Sequence, residues 1–150
     1  MTQPEFIDVE ETVALVKSAT CLFHEVGHTA ARLFGEMSLQ FPEVETVSAP
    51  MVVYTKWSDG LCEIEAGFPV DPLSYRGPTH VLKTYPACTA IFATHAGPFD
   101  RLPESWMALW TFVRTNNIDV TGPTWELYVK PPIPGPNDAM TELYIPLRSY

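Results

Sequence analysis

The sequence has 150 residues, of which 46% are apolar, and this is enough material for the core of one domain. Its 18 acidic residues outnumber 9 lysines and arginines, and the resulting charge of −9 argues against direct binding of nucleic acid phosphates. Because no apolar run reaches the roughly 20 residues of a membrane helix and no signal peptide is recognisable, we expect a cytoplasmic protein without membrane contact.

The first half of the sequence predicts a strand, a helix and two further strands. A strand is expected within residues 6–16, and two more are expected at residues 51–54 and 62–68. Turn residues 58–60 (Ser-Asp-Gly) separate the last two strands. The apolar residues of the intervening helix recur at helical spacing: Phe23, Val26, Ala30, Leu33, Phe34 and Met37.

The second half repeats this order of elements. Strands are expected at residues 87–94, 125–129 and 141–145, with a connector at residues 131–138. Pro103 begins a helix after the turn at residues 97–100. This helix has the apolar stripe Trp106, Leu109, Trp110 and Val113 and ends at Asn116-Asn117.

The two halves also align residue by residue. Residues 49–54 align with 123–128, and residues 64–70 align with 141–147. The sequence therefore predicts one domain over residues 1–150, with a βαββ module at residues 5–72 repeated at residues 80–148. Short hairpin loops require antiparallel pairing. The expected fold is α+β with pseudo-twofold symmetry: an antiparallel sheet carries the two helices on one face and a groove on the other.

Four segments of the second half form a recognisable pattern: YPA at 85–87, HAGPF at 95–99, GPTWELY at 122–128 and TELYIPL at 141–147. In this order and spacing they resemble the GyrI-like family of small-molecule-binding domains. The family includes the effector-binding domains of multidrug-responsive activators and shares a duplicated βαββ fold with SOUL-type proteins. The resemblance implies a cavity between the repeats, lined by aromatic residues around a central acid, and Glu126 stands at the position of that acid. No helix-turn-helix segment precedes the domain, so the stand-alone form is expected.

Glu126 lies in the apolar run of residues 125–129. Strand alternation puts Glu126 and Tyr128 on one face and Trp125 and Leu127 on the other. A buried carboxylate costs several kcal/mol unless it is paired, and a cationic ligand or a tyrosine hydroxyl would pair with it. Each neighbouring ring would add about 0.5–2 kcal/mol of cation–π attraction. The alternative is a carboxylate on a water-facing side of the sheet, and the sequence pattern fits both.

Seven aromatic residues complete the predicted ligand site. Tyr54 aligns with Tyr128, and Val52 occupies the position of Glu126 in the first repeat. Core packing explains Trp106 and Trp110 of the second helix equally well. Phe99, which precedes that helix, fits either a lid over the ligand or a hydrophobic staple that packs on the first turn of the helix. The seven residues are Tyr54, Phe68, Phe99, Trp106, Trp110, Tyr128 and Tyr144.

The sequence HEVGH at residues 24–28 matches the zinc-binding motif of metalloproteases. On a helix, however, His24, Glu25 and His28 fall opposite the apolar stripe, and no following segment supplies a third ligand. The three cysteines have no CxxC spacing, which indicates reduced thiols. We therefore expect no metal site and no cofactor.

The favoured function is the binding of lipophilic cationic or aromatic small molecules, for sequestration or detoxification. The alternative is a hydrolase of cyclopropane-containing genotoxins, as the resemblance implies for some GyrI-like proteins. Glu126 would then act as the general acid or base. A gyrase-type protein inhibitor is less favoured, and a protein partner has no support in the sequence. Haem binding is disfavoured because no histidine stands out as an axial ligand.

Overall fold

The computed structural model describes residues 1–130 and 138–148. Their elements are β1 (Glu5–Val9), β2 (Thr12–Leu22), α1 (Val26–Gln40), β3 (Met51–Ser58), β4 (Leu61–Pro69), β5 (Leu82–Tyr85), β6 (Cys88–Ala96), α2 (Leu102–Thr115), β7 (Thr124–Lys130) and β8 (Met140–Pro146). Neighbouring strands within each module described below pair antiparallel, which confirms the predicted α+β class. The predicted connector at 131–138 lies outside the described residues, except for Asp138. Within the described ranges, neither helix is long and apolar enough to cross a membrane.

The chain divides into two compact modules. The first module is Glu10–Ala87, and the second consists of Met1–Val9 together with Cys88–Tyr150. Strand order is β3-β4-β2-β5 in the first module and β7-β8-β6-β1 in the second. Each strand of one module thus has a counterpart at the same position in the other, which confirms the duplicated βαββ arrangement.

The edge strand of each module differs from the expectation. Residues 6–16 were predicted to contain one strand, but β1 ends at Val9 and β2 begins at Thr12. Strand β1 pairs with β6 of the second module, whereas β5, which was not predicted, pairs with β2 of the first. Each edge strand therefore precedes, in the chain, the first long strand of the other module. Hydrophobic periodicity does not reveal this exchange, because it gives no information on pairing partners.

Strand register matches the sequence alignment of the two halves. Tyr54 lies opposite Ile64 on β4, and Tyr128 lies opposite Thr141 on β8. A register shift of the kind caused by a β-bulge follows each of these two tyrosines. Val52 and Glu126 consequently occupy equivalent positions in their own sheets.

Each helix buries one stripe against the sheet of its module. In α1 the buried apolar residues are Val26, Ala30, Leu33 and Met37, as the spacing predicted. The helix begins three residues later than its apolar stripe suggested, because residues 23–25 form a 3-10 turn. Pro103 lies in the first turn of α2, and Asn117 just beyond its end has a φ of 50°.

The hairpin between β3 and β4 confirms the turn predicted at residues 58–60. Ser58 pairs with Leu61, so only Asp59 and Gly60 form the loop. Their φ angles are 51° and 79°. An Asp-Gly pair suits such a turn because both residues tolerate the left-handed region better than others do.

Candidate functional site

Glu126 lies near the middle of β7, and its side chain is fully buried, with 0% exposure. It is opposite Leu143 on β8, and Leu143 is opposite Ala93 on β6. Directly opposite residues point to the same side of a sheet. His95 shares this side with Ala93 and contacts Ser105 of α2 across 2.6 Å. Glu126 therefore lies on the side of the sheet that α2 covers.

Tyr128 follows Glu126 on the same face of β7, as strand alternation predicted. The hydroxyl of Tyr128 donates a hydrogen bond to the Glu126 carboxylate. Burial, followed by the charge of Glu126 and this hydrogen bond, raises the pKa of Tyr128 well above its ordinary value. The hydroxyl therefore keeps its proton at neutral pH and remains a donor to the acid.

Phe99 extends this cluster from the 3-10 turn that precedes α2. Its ring centroid lies 5.3 Å from that of Tyr128, with the ring planes tilted by 43°. Gly97, two residues before this turn, has a φ of 123°, which disfavours any side chain. Phe99 is 36% exposed, so its ring forms a solvent-accessible part of the cluster next to Tyr128.

Thr141 is a polar residue at this site that the sequence did not indicate. It lies opposite Tyr128 on β8 and is completely buried. Within residues 1–130 and 138–148, its Oγ1 atom has no hydrogen-bond partner. A buried hydroxyl without a partner is costly, so it is a candidate contact for a polar group of a ligand. A threonine in a strand is ordinary, and no sequence signal distinguished this one.

Trp106 and Trp110 both lie on α2, but their environments differ. Trp106 is 8% exposed and belongs to the buried stripe that faces the sheet, on the same side as Glu126. Trp110 is only partly buried on the flank of the helix. Because Trp106 is buried against the sheet and Trp110 is not, Trp106 is the better candidate for a neighbour of Glu126.

Tyr144 does not share a face with Glu126. It lies opposite Phe92 and Trp125, and its ring stacks on Trp125 with a centroid distance of 5.0 Å and an angle of 3°. Its hydroxyl donates a 2.9 Å hydrogen bond to Glu142. Strand alternation accounts for the shared face of Tyr144 and Glu142. Glu126 and Tyr144, however, were expected together in a groove on the helix-free face. Glu126 lies on the helix-covered side, and Tyr144 lies on the opposite one.

Tyr54 and Phe68 belong to the first module. Tyr54 is 5% exposed, and its ring stacks on Trp57 at 5.4 Å. Phe68 contacts Phe34 of α1, with ring centroids 5.2 Å apart. Both side chains lie on the side of their sheet that α1 covers, and their roles in ligand binding stay predictions.

His95 lies near the end of β6 and makes two polar contacts. It is 5% exposed. Besides Ser105, it contacts the carbonyl oxygen of Pro98 at 3.0 Å. The contact with Ser105 links β6 to α2, which carries Trp106. The contact with Pro98 links β6 to the residue just before Phe99.

A surface cleft of about 490 Å³ in the first module was not predicted. It lies between residues 41–45, which follow α1, and residues 70–77. Its lining includes three carboxylates, Glu43, Glu45 and Asp71, and one guanidinium, Arg76. None of the predicted site residues lies in it.

The histidines of the HEVGH motif are exposed, as is Glu25 between them. His24 and Glu25 lie in the 3-10 turn, and only His28 lies on α1. Across the described residues, no group of three or more His, Cys, Asp or Glu side chains is arranged to hold a metal ion.

Comparison with known proteins identifies the family. The model of the GyrI-like small molecule binding domain matches residues 2–148. The chain belongs to the GyrI-like family. It is thus a small-molecule-binding domain, and the resemblance seen in the sequence is confirmed. A search of curated proteins gives no match.

Solved structures share the fold of this GyrI-like domain at low sequence identity. SAV2435 bound to tetraphenylphosphonium is 9% identical, with 99% of this chain and 95% of that chain covered and a TM-score of 0.75. The EcmrR C-terminal domain is 18% identical, with 99% and 98% covered and a TM-score of 0.78. A hydrolase from Listeria innocua is 15% identical, with 97% and 92% covered and a TM-score of 0.57.

Proposed function

We propose that this GyrI-like domain binds lipophilic organic cations and aromatic compounds at the Glu126 cluster, defined as Glu126, Tyr128, Phe99 and Thr141. The observation that carries the proposal is the fully buried carboxylate of Glu126 on the helix-covered side of its sheet, with an aromatic hydroxyl donating to it. A buried acid is stabilised by a positive charge that enters with the ligand. The family's small-molecule-binding character and the tetraphenylphosphonium bound to SAV2435 support a ligand of this class.

The chemistry of the cluster matches such a ligand in three ways. The carboxylate supplies the charge, and the rings of Tyr128 and Phe99 supply cation–π and apolar contact. Thr141 offers a buried hydroxyl to a polar substituent. The formal charge of −9 favours the approach of cations from solution. Storage or sequestration of toxic compounds is the role that we assign to this binding.

Titration with tetraphenylphosphonium and with neutral triphenylphosphine oxide tests the proposal. Glu126→Gln is expected to weaken cation binding at least about tenfold, equivalent to about 1.4 kcal/mol, and to change neutral binding far less. Glu142→Gln is the matched control, because Glu142 also accepts from a tyrosine but lies on the opposite face. Equal losses for both ligands, or an equal loss in the control, would exclude charge recognition by Glu126.

A hydrolase of small electrophiles is the second candidate function. The structural neighbour from Listeria innocua is described as a hydrolase. The hydrogen-bonded pair of Glu126 and Tyr128 contains a base and an acid in direct contact, which is the minimum for proton transfer to and from water. Incubation with a cyclopropane-containing electrophile, followed by mass spectrometry, distinguishes the two functions. A ring-opened product in excess of the protein indicates turnover, and stoichiometric retention of intact compound indicates binding.

A further inference from the structure

Two of the three cysteines meet across the strand pair β2–β4 of the first module, although they are far apart in sequence. Cys21 lies directly opposite Cys62 in the antiparallel register. Directly opposite Cα atoms in such a pair are about 4.5 or 5.5 Å apart, and a disulfide spans about 4.4–6.8 Å. Directly opposite residues point to the same side of a sheet, so the side chains of Cys21 and Cys62 are neighbours.

The two thiols differ in their access to solvent. Cys62 is 1% exposed, whereas Cys21 is partly exposed. Burial, together with the neighbouring Cys21, raises the pKa of Cys62 to about 12. Cys62 therefore keeps its proton at neutral pH, and a reagent from solvent reaches Cys21 first.

Two aromatic residues lie on the strands and turn next to Cys62. Trp57 lies opposite Cys62 on β3, and its ring is 5.1 Å from that of Phe23, which follows β2. Cys88 provides a contrast within the same chain. It is partly exposed on β6, but the residue opposite it on β1 is Val9.

We propose that Cys21 and Cys62 form a modification site that hydroperoxides oxidise to a reversible cross-strand disulfide. The Cys21 thiolate attacks the terminal peroxide oxygen, the O–O bond breaks, and water or an alcohol leaves, which converts Cys21 to a sulfenic acid. The sulfur of Cys62 then attacks the sulfur of Cys21. The S–S bond forms, and the hydroxyl of the sulfenic acid leaves as water with the proton of Cys62. The peroxide gains the two electrons that the thiols lose.

Peptide mapping of the full chain after treatment with hydrogen peroxide tests the site. The expected product is a monomer that is about 2 Da lighter, with Cys21 joined to Cys62 and restored by dithiothreitol. Under denaturing conditions, a thiol reagent is expected to label only one of the three cysteines after oxidation, because the other two form the disulfide. A disulfide between two chains, or oxidation of Cys88 while this pair stays reduced, would overturn the proposal.

Single variants test the order of the steps. Cys62→Ser is expected to leave a sulfenic acid on Cys21 that dimedone traps, whereas Cys21→Ser leaves Cys62 unreactive. Cys88→Ser is the matched control and is expected to form the disulfide as the wild type does. Trapping on Cys62 in the Cys21→Ser variant at the wild-type rate would overturn the assigned order. The wild-type peptide map shows whether Cys21 and Cys62 are joined, and this result does not depend on the folding of any serine variant.

Discussion

The hydroxyl of Tyr128 donates a hydrogen bond to the carboxylate of Glu126, which precedes it by two residues on the same face of β7. Tyr144 and Glu142 form a similar pair on β8, with 2.9 Å between Tyr144 Oη and Glu142 Oε1. The two pairs lie on opposite faces of one sheet, because Tyr144 is opposite Trp125 whereas Glu126 is opposite Leu143. The second pair is therefore an internal control for the first.

The two tyrosines are expected to respond differently to loss of the hydroxyl. Tyr128→Phe removes a donor that stabilises the charged form of Glu126, and we expect tetraphenylphosphonium to bind about fivefold more weakly, equivalent to about 1 kcal/mol. Tyr144→Phe is expected to leave the affinity within about twofold, a small fraction of a kcal/mol. Isothermal titration calorimetry measures both. A loss in Tyr144→Phe as large as that in Tyr128→Phe would contradict the assignment of the binding face.

Replacement of the buried acid is expected to abolish cation binding and to raise the free energy of unfolding. The first module has Val52, which is 0% exposed, at the position that Glu126 occupies in the second. The double variant Glu126→Val/Tyr128→Phe removes the buried charge together with its donor. We expect the free energy of unfolding to rise by about 1–3 kcal/mol and cation binding to be lost.

Urea unfolding at pH 7 measures this gain. Glu126→Val alone is expected to gain less than the double variant, because the Tyr128 hydroxyl then loses this acceptor. The reverse change, Val52→Glu, is expected to cost more than about 3 kcal/mol, since it buries a charge among apolar residues. A double variant that is less stable than the wild type would show that the acid belongs to a structural network.

Three tyrosines are expected to contribute to a fall in stability at alkaline pH. Burial, as the largest cause, raises the pKa values of Tyr85, Tyr128 and Tyr144. An unfolded tyrosine ionises near pH 10, while each of these keeps its proton to higher pH in the folded protein. The unfolded chain therefore binds fewer protons above pH 10, and the free energy of unfolding decreases by up to about 1.4 kcal/mol per pH unit for each group.

Urea unfolding between pH 8 and pH 11.5 tests this dependence. Each Tyr→Phe replacement is expected to reduce the slope above pH 10 and to leave the slope near pH 8 unchanged. If all three variants keep the wild-type slope, other groups cause the alkaline loss.

The Asp59-Gly60 hairpin is expected to depend on its glycine. Gly60 has a φ of 79° with no atom within 4 Å of an added Cβ, so Gly60→Ala causes backbone strain rather than a clash. We expect a loss of about 1 kcal/mol. Gly35 lies within α1, also with open space around an added Cβ, and Gly35→Ala is expected to gain about 0.5–1 kcal/mol. Thermal unfolding compares the two, and shifts of the same sign would contradict the role of the positive φ.

The amino-acid pattern alone determined the repeat, the helix stripes, the Asp-Gly turn and the pairing of Glu126 with Tyr128 on one face. These features follow from local periodicity: period two places alternate residues together, and helical spacing places every third or fourth residue together. The alignment of the halves also predicted the equivalence of Val52 and Glu126, because equivalent strands keep equivalent registers.

Only the tertiary structure decided which side of the sheet carries the acid. Strand alternation predicts that Glu126 and Tyr128 share a face of β7. It does not predict whether α2 covers that face, because this depends on where the helix packs. Pairing across strands also separated Tyr144 from Glu126, brought Cys21 opposite Cys62, and placed β1 in the second module. These relationships join residues that are distant in the chain, and periodicity within one strand gives no information on them.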